Sequence, residues 1–389
     1  MKINLNNTAL SNVIKEFGCE EIHIQRDASG IVFAIAENLG RGTKMFRILE
    51  KQSETEAVHI VLGEELQRVL VKMTADIIKV EVKESTITVK GEAKVKSTKL
   101  EKEVPVMEYL KSKEGSLSVF KKDALLAKVS YLSAIAAVKD DIRPILTGIC
   151  MTNKDGTVEL SATDSFVAAV TEVEYNVPKL PERSDEDDEK WEKLTQVVET
   201  QKSKALTPFT TIVKAIDLEK AIRLLDGDTV YMAVVPNKEV VVFTATNMVS
   251  LKPLSGKSIN INSLITASSV ENALVLTSKE VEKIVNIIPV LESAVEHSPM
   301  ILDNTDEGLG IYSKSTNGLR VFSQLLEVED KREMLSAFNP KFLKKTLSIP
   351  NVKLHITGKL KAAIFENGDI KGLVLPVNFD GFNRDDYKS

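Results

Sequence analysis

The sequence predicts an α+β protein assembled from one repeated unit: a short strand, an amphipathic helix, then several antiparallel strands. Three observations predict it. Six runs carry apolar residues at helical spacing, the stretches between them alternate with a period of two, and the runs recur at a nearly fixed interval. The 389 residues are enough for two or three domains at ~150 residues each. Hydrophobic residues make up 43%, which supplies each domain with a core.

Taken in order, the first apolar anchors of the six helices are Leu10, Leu66, Leu125, Leu218, Val281 and Phe342, at spacings of 56, 59, 93, 63 and 61. Within each run apolar residues return three and four positions on, as at Leu66, Val69, Leu70 and Met73, and form one stripe toward a core. Start signals support helices at Ser278 with Glu280 close behind, at Asp217, and at Asn339 followed by Pro340. Between helices the alternation predicts hairpins. Residues 77–83 meet 86–90, residues 230–235 meet 240–243 across Pro236-Asn237-Lys238, and residues 352–356 meet 362–365 across Gly358. Two units of about 60 residues make a domain, so the chain divides into 1–114, 115–264 and 265–389. The long spacing holds an insertion, 181–205, that opens with six acids in eight positions from Glu182 to Glu189 and continues through Trp191. Such a run repels itself and stays solvated, a surface loop.

Composition narrows the function. Basic residues number 51 and acidic ones 56, a net charge of −5 that excludes a uniformly basic nucleic-acid binder but allows positive charge gathered on one face. Cys19 and Cys150 cannot build a disulfide framework, so buried thiols in a reducing, cytoplasmic setting are expected. No apolar run approaches ~18 residues and the N-terminus has no signal-like core, so no membrane span is expected. His23, His59, His297 and His355 lie far apart in sequence without ligand-spaced partners, and no metal is expected. Ser255-Gly256-Lys257-Ser258 resembles the end of a phosphate loop, but Leu251 stands where the upstream glycine is required. Gly308-Leu309-Gly310 lacks a third glycine. The sequence therefore argues for no enzyme and no cofactor.

Asp141-Ile-Arg-Pro-Ile-Leu-Thr-Gly148, followed by Val158-Glu-Leu-Ser-Ala-Thr-Asp164, resembles the second domain of bacterial DNA polymerase III beta subunits, the sliding clamps. The resemblance continues through Thr211-Ile-Val-Lys214 and Leu224-Leu-Asp-Gly227. It resumes at Ala337-Phe-Asn-Pro-Lys-Phe-Leu343 and Gly372-Leu-Val-Leu-Pro-Val-Asn-Phe379, covering residues 115–379. Residues 1–114 match mainly in their pattern of helices and hairpins. The family's Gly-His-Arg-Leu after Ala-Thr-Asp is here Ser165-Phe-Val-Ala168, and residues 380–389 extend past the family's usual end. These departures imply a divergent, phage-like member.

The resemblance implies the DNA-clamp fold, with three domains of duplicated units in a homodimeric ring lined by helices. Its partners are double-stranded DNA held without regard to sequence, a DNA polymerase, a clamp-loader ATPase and a second copy of itself. The clamp serves as a non-catalytic processivity factor in DNA replication. The helices offer Lys15, Arg68, Lys72, Lys128, Lys220, Arg223, Lys279, Lys283, Lys341, Lys344 and Lys345 to DNA, and Arg143 matches a family arginine near it. Neutralising about four phosphates gives log K a slope of ~−3.6 against log salt. The resemblance also implies a groove between the second and third domains for a short partner peptide. Its wall includes Leu146, Thr163, Ser165, Phe166 and Ala168, continues through Ile259, Leu264, Asn339, Phe342, Leu360 and Ala362, and ends in Val374, Leu375, Pro376 and Val377. Apolar anchors worth ~1.5–3 kcal/mol each leave micromolar binding. The diverged first domain also allows a clamp-fold scaffold that binds replication or transcription partners without encircling DNA.

Overall fold

Asn6 begins the first helix by accepting the amide of Ala9 at 2.9 Å, and Gly18 ends it in the left-handed conformation at φ +62°. Between those caps Leu10, Val13 and Phe17 are buried along one stripe. A helix with one buried stripe recurs six times along the chain, though not every one has a side-chain cap. The computed structural model describes residues 2–38, 42–54, 56–83, 86–98, 116–154, 156–176, 205, 207–268, 270–294, 298–315, 318–323 and 325–387. His297, Trp191 and the acidic insertion apart from Ala205 lie outside these residues.

Each unit is one strand, one helix and three antiparallel strands. The first runs β1 (Lys2–Asn6), α1 (Asn7–Phe17), β2 (Glu21–Arg26), β3 (Ile31–Asn38) and β4 (Thr43–Lys51). The second is β5 (Val58–Gly63), α2 (Glu64–Leu70), β6 (Ile77–Lys83), β7 (Thr86–Lys90) and β8 (Lys94–Thr98). The third has β9 (Ser116–Lys121), α3 (Lys122–Ile135), β10 (Gly148–Lys154), β11 (Thr157–Thr163) and β12 (Val167–Glu174). The fourth has β13 (Thr210–Lys214), α4 (Ala215–Leu224), β14 (Thr229–Val235), β15 (Glu239–Phe243) and β16 (Asn247–Leu251). A short helix, α5 (Ile261–Ala267), precedes the fifth unit. That unit is β17 (Leu274–Leu276), α6 (Ser278–Ala294), β18 (Met300–Thr305), β19 (Gly308–Lys314) and β20 (Arg320–Phe322). The sixth is β21 (Met334–Phe338), α7 (Pro340–Leu347), β22 (Lys353–Ile356), β23 (Ala363–Glu366) and β24 (Ile370–Val374).

Units pair by exchanging their first strands. β1 joins β6-β7-β8 while β5 joins β2-β3-β4; β9 joins β14-β15-β16, and β17 and β21 exchange likewise between the last two units. Chain contacts gather the molecule into two compact units. The first is Met1–Val129, Thr152–Val158 and Glu174–Ser255; the second is Ser130–Met151, Glu159–Val173 and Gly256–Ser389, with the division passing through β10 and β11. In the first, β4 pairs with β16 (Val249 opposite Met45) and fuses two four-stranded halves into the sheet β5-β2-β3-β4-β16-β15-β14-β9. In the second, β12 pairs with β24 (Val167 opposite Val374), extending into β23, β22 and β17. Two four-stranded sheets remain, β1-β6-β7-β8 and β20-β19-β18-β21.

The sequence anchors Leu10, Leu66, Leu125, Leu218 and Val281 are all buried. Phe342 is not: Leu343 takes the core position on α7, and Phe342 is half-buried on the helix surface. The start signals also need correction. Thr277, not Ser278, caps α6, with Glu280 accepting both the amide (2.6 Å) and the hydroxyl (2.8 Å) of Thr277. Asp217 sits inside the first turn of α4, whose cap position is Lys214. Asn339 caps α7 as expected, accepting from Lys341 at 2.9 Å with Pro340 in the first turn. Cys19 is buried, and burial pushes its thiol up to about 11, whereas Cys150 is only half-buried. His23 and His59, distant in sequence, meet across β2 and β5 with their rings stacked and their nitrogens 3.1 Å apart. Among the described residues no three histidines, cysteines or carboxylates gather as a metal site, and no helix is long and apolar enough to cross a membrane.

Candidate functional site

The turn between β11 and β12 is built by its own side chains. Asp164 accepts the amides of Phe166 (3.0 Å) and Val167 (2.9 Å), while Thr163 Oγ1 accepts from Ser165 at 3.1 Å and donates to the Val167 carbonyl at 2.6 Å. Ser165 takes φ +81°, in the left-handed region that favours glycine. A serine thus holds a backbone conformation that glycine usually supplies. The turn aims Phe166 outward, 52% exposed, and its ring stacks on Phe342 of α7 with centroids 5.1 Å apart. Lys345, one turn along α7, reaches Asp164 Oδ2 at 3.2 Å and ties the helix to the turn.

The chain leaving β24 closes the same surface. The amide of Leu375 donates to the Phe166 carbonyl at 2.9 Å, and that of Val377 to the Ala337 carbonyl at 2.8 Å. Leu375 stays 38% exposed beside Phe166. Beneath the surface Ala168, Val170, Ile261, Ile364 and Leu373 form a core cluster, with Ile265 and Ala362 packed on it. The structure thus brings Thr163, Ser165, Phe166, Ala168, Asn339, Phe342, Ala362, Val374, Leu375, Pro376 and Val377 into one neighbourhood of β12, β24 and α7. Leu146, in the 3-10 turn Pro144–Thr147, joins Ala168 and Val374 as buried residues. Ile259, Leu264 and Leu360 are 39%, 46% and 62% exposed, with no described contact to the Phe166–Phe342 stack.

The cations divide by what holds them. Lys15 at the end of α1, Lys72 just past α2, Lys279 and Lys283 one turn apart on α6, and Lys341 on α7 are exposed and make no ion pair among the described residues. Lys128 and Lys220 are half-buried on α3 and α4. Carboxylates already engage others. Arg68 pairs with Glu64 (3.1 Å), Arg223 with Glu219 (2.7 Å), Lys344 with Glu292 (3.0 Å), and Arg143 with Asp140 (3.3 Å). The amide of Arg143, more than its charge, holds the Asp140 carboxyl below the usual range.

Reasoning from sequence missed the C-terminal tail as a structural element. Phe379 is buried on Ile301, Tyr312 and Ala337, with Phe382 and Tyr387 packed beside them. Arg384, in a 3-10 turn Arg384–Tyr387, donates to Asp303 of β18 at 2.8 Å. The tail roofs a cavity of about 170 Å³ lined by Asp303, Glu307, Tyr312, Phe322, Leu325 and Tyr387. Three aromatics within nine residues, Phe379, Phe382 and Tyr387, were the available signal.

Solved structures with the same arrangement span almost the whole chain. The DNA polymerase III subunit beta of Pseudomonas aeruginosa aligns over 97% of this chain and 100% of its own, with a TM-score of 0.79 at 14% identity. The fold is that of the sliding clamps. The DNA polymerase sliding clamp of Bacillus subtilis aligns over 97% and 99%, at TM-score 0.76 and 16% identity. The beta subunit of Thermotoga maritima aligns over the same shares, at 0.76 and 12%. No protein-family model and no curated protein matches the sequence. The clamp fold is therefore retained here at identities of 12–16%.

Proposed function

We propose that this chain is a DNA sliding clamp: two copies close a ring around duplex DNA and tether a replicative polymerase for processive synthesis. The observation that carries the reading is the state of the sheets. Strand exchange between units supports three domains, 1–114, 115–264 and 265–389, each with two four-stranded halves. Edge pairing at β4–β16 and β12–β24 joins neighbouring halves and leaves β8 and β20 as outer strands of the two remaining sheets. An unpaired outer strand is a template for another chain. A second copy that sets its β8 against the first copy's β20 repeats the junction and closes the assembly head to tail. The chain then acts by topology and not by catalysis, in the cytoplasm.

The free cations Lys15, Lys72, Lys279, Lys283 and Lys341 supply phosphate contacts inside the ring, with Lys128, Lys220 and Arg223 beside them. Arg143, Lys344 and Lys345 contribute after exchanging their carboxylate partners. Phe166, Phe342 and Leu375 form the apolar seat for a peptide of the polymerase or of a loader ATPase, with Ile259, Leu264 and Leu360 at its exposed margin.

Retention on DNA tests the ring. The protein is expected to stay on closed circular DNA and to leave when the circle is cut; equal retention on cut and closed DNA, or a monomer at micromolar concentration, overturns the reading in favour of a scaffold. Phe342→Ala tests the seat without removing a core residue, and polymerase stimulation should fall at least tenfold while the oligomer survives.

A further inference from the structure

The sheet β1-β6-β7-β8 has two unlike faces. On one, Ile3, Leu5, Ile78, Val80, Ile87 and Val89 are buried, and α1 packs on β1 and β6. The register sets Lys2 opposite Glu81, Lys79 opposite Lys90, and Lys90 opposite Lys94, so the other face gathers Lys2, Lys79, Lys83, Lys90, Lys94 and Lys96. Glu81 is the one carboxylate at the ladder positions of that face. Lys90 and Lys2 share it at 2.9 and 3.9 Å and the charge of Lys83 also acts on it, whereas Lys79, Lys83, Lys94 and Lys96 are exposed and make no ion pair within 4 Å among the described residues. The chain as a whole carries a net charge of −5. A concentration of unneutralised positive charge on one flat face is therefore local and not a reflection of composition.

We propose that this face is a second nucleic-acid contact surface, which holds the phosphate backbone of double-stranded DNA without reading sequence. Lysines two apart on a strand stand ~7 Å apart and neighbouring strands lie ~4.8 Å apart, a rigid lattice on the scale of successive backbone phosphates. Thr86 and Thr88 interleave with the lysines and add hydroxyl donors suited to phosphate oxygens. The face carries no aromatic residue, so it offers no platform for stacking unpaired bases and favours a duplex over a single strand. It lies across the sheet from α1, which carries Lys15, and it functions whether or not the chain closes a ring.

Fluorescence anisotropy with a labelled 20-base-pair linear duplex at low salt tests it, since a ring slides off so short a probe. In the triple variant Lys79→Gln, Lys83→Gln, Lys96→Gln, affinity should fall roughly ten- to a hundredfold. The slope of log K against log salt should become shallower by about 2.7, one step of ~0.9 for each lost phosphate contact. The side chains are exposed, so an unchanged thermal melt certifies the fold, and unchanged retention on closed circular DNA keeps this result separate from ring closure. Affinity within twofold of the parent overturns the proposal. Equal displacement of the duplex by polyglutamate at matched charge also overturns it and assigns the face to acidic protein segments.

Discussion

The two four-stranded sheets share a topology and differ in how they treat the face turned away from their helices. In β1-β6-β7-β8 that face is mostly lysine, asparagine and threonine in contact with water, with Glu81 and an exposed Ile77 among them, and the strands alternate buried and exposed residues. In β20-β19-β18-β21 the chain's own C-terminus covers it: all six residues of β18 and six of the seven in β19 are buried. The difference shows that alternation is a property of a half-wetted sheet, not of a strand. Covering the second face allows Ile301, Tyr312 and Ala337 where the first sheet has Lys2, Lys79 and Lys90.

The comparison breaks most severely if the cover is removed. Deleting residues 379–389, or replacing Phe379 with alanine, should destabilise the second unit by about 3–5 kcal/mol, read as a shift in its urea transition, while the first unit unfolds as before. Next in size is Gly310→Ala. A methyl at Gly310 would run into the Tyr312 ring, so the ring that carries the tail must move. A loss of about 1–3 kcal/mol in chemical unfolding is expected, with no counterpart in the first sheet.

Alkaline pH gives a smaller effect. Burial raises the phenols of Tyr312 and Tyr387, with Asp303 adding to the first. A raised folded pKa favours the protonated native form, so the contribution is complete below about 10, the ordinary tyrosine value, and is lost as pH climbs past it. Ultraviolet titration should show these phenols ionising late, and Tyr387→Phe should reduce the alkaline loss. The smallest effect is expected at Lys79→Gln in the first sheet: stability should stay within about 0.5 kcal/mol in the same melts, since the side chain is exposed and unpaired.

The same contrast explains what could be read from the sequence. The hairpins at 77–90, 230–243 and 352–365 formed as expected. Five of the six helix anchors are buried, because each helix has one solvent face and one core face. The β18–β19 hairpin gave no alternating signal because both its faces are covered, one of them by residues more than sixty positions away. Phe342 was taken for a core anchor because spacing alone cannot tell it from Leu343; the decision rests on the Phe166 ring, supplied by a distant turn. The Phe166, Phe342 and Leu375 cluster was legible only through family resemblance, since no local period links β12, α7 and the end of β24. Ion pairs such as Arg143 with Asp140 were equally invisible, being set by loop geometry.

Ser165 shows that a turn can be made independent of the residue at its tightest point. Its backbone holds φ +81° because Thr163 and Asp164 bind the amides around it, so the turn does not require glycine there. The dihedral angle at residue 165 is therefore set by the side chains of Thr163 and Asp164 and not by the residue that adopts it.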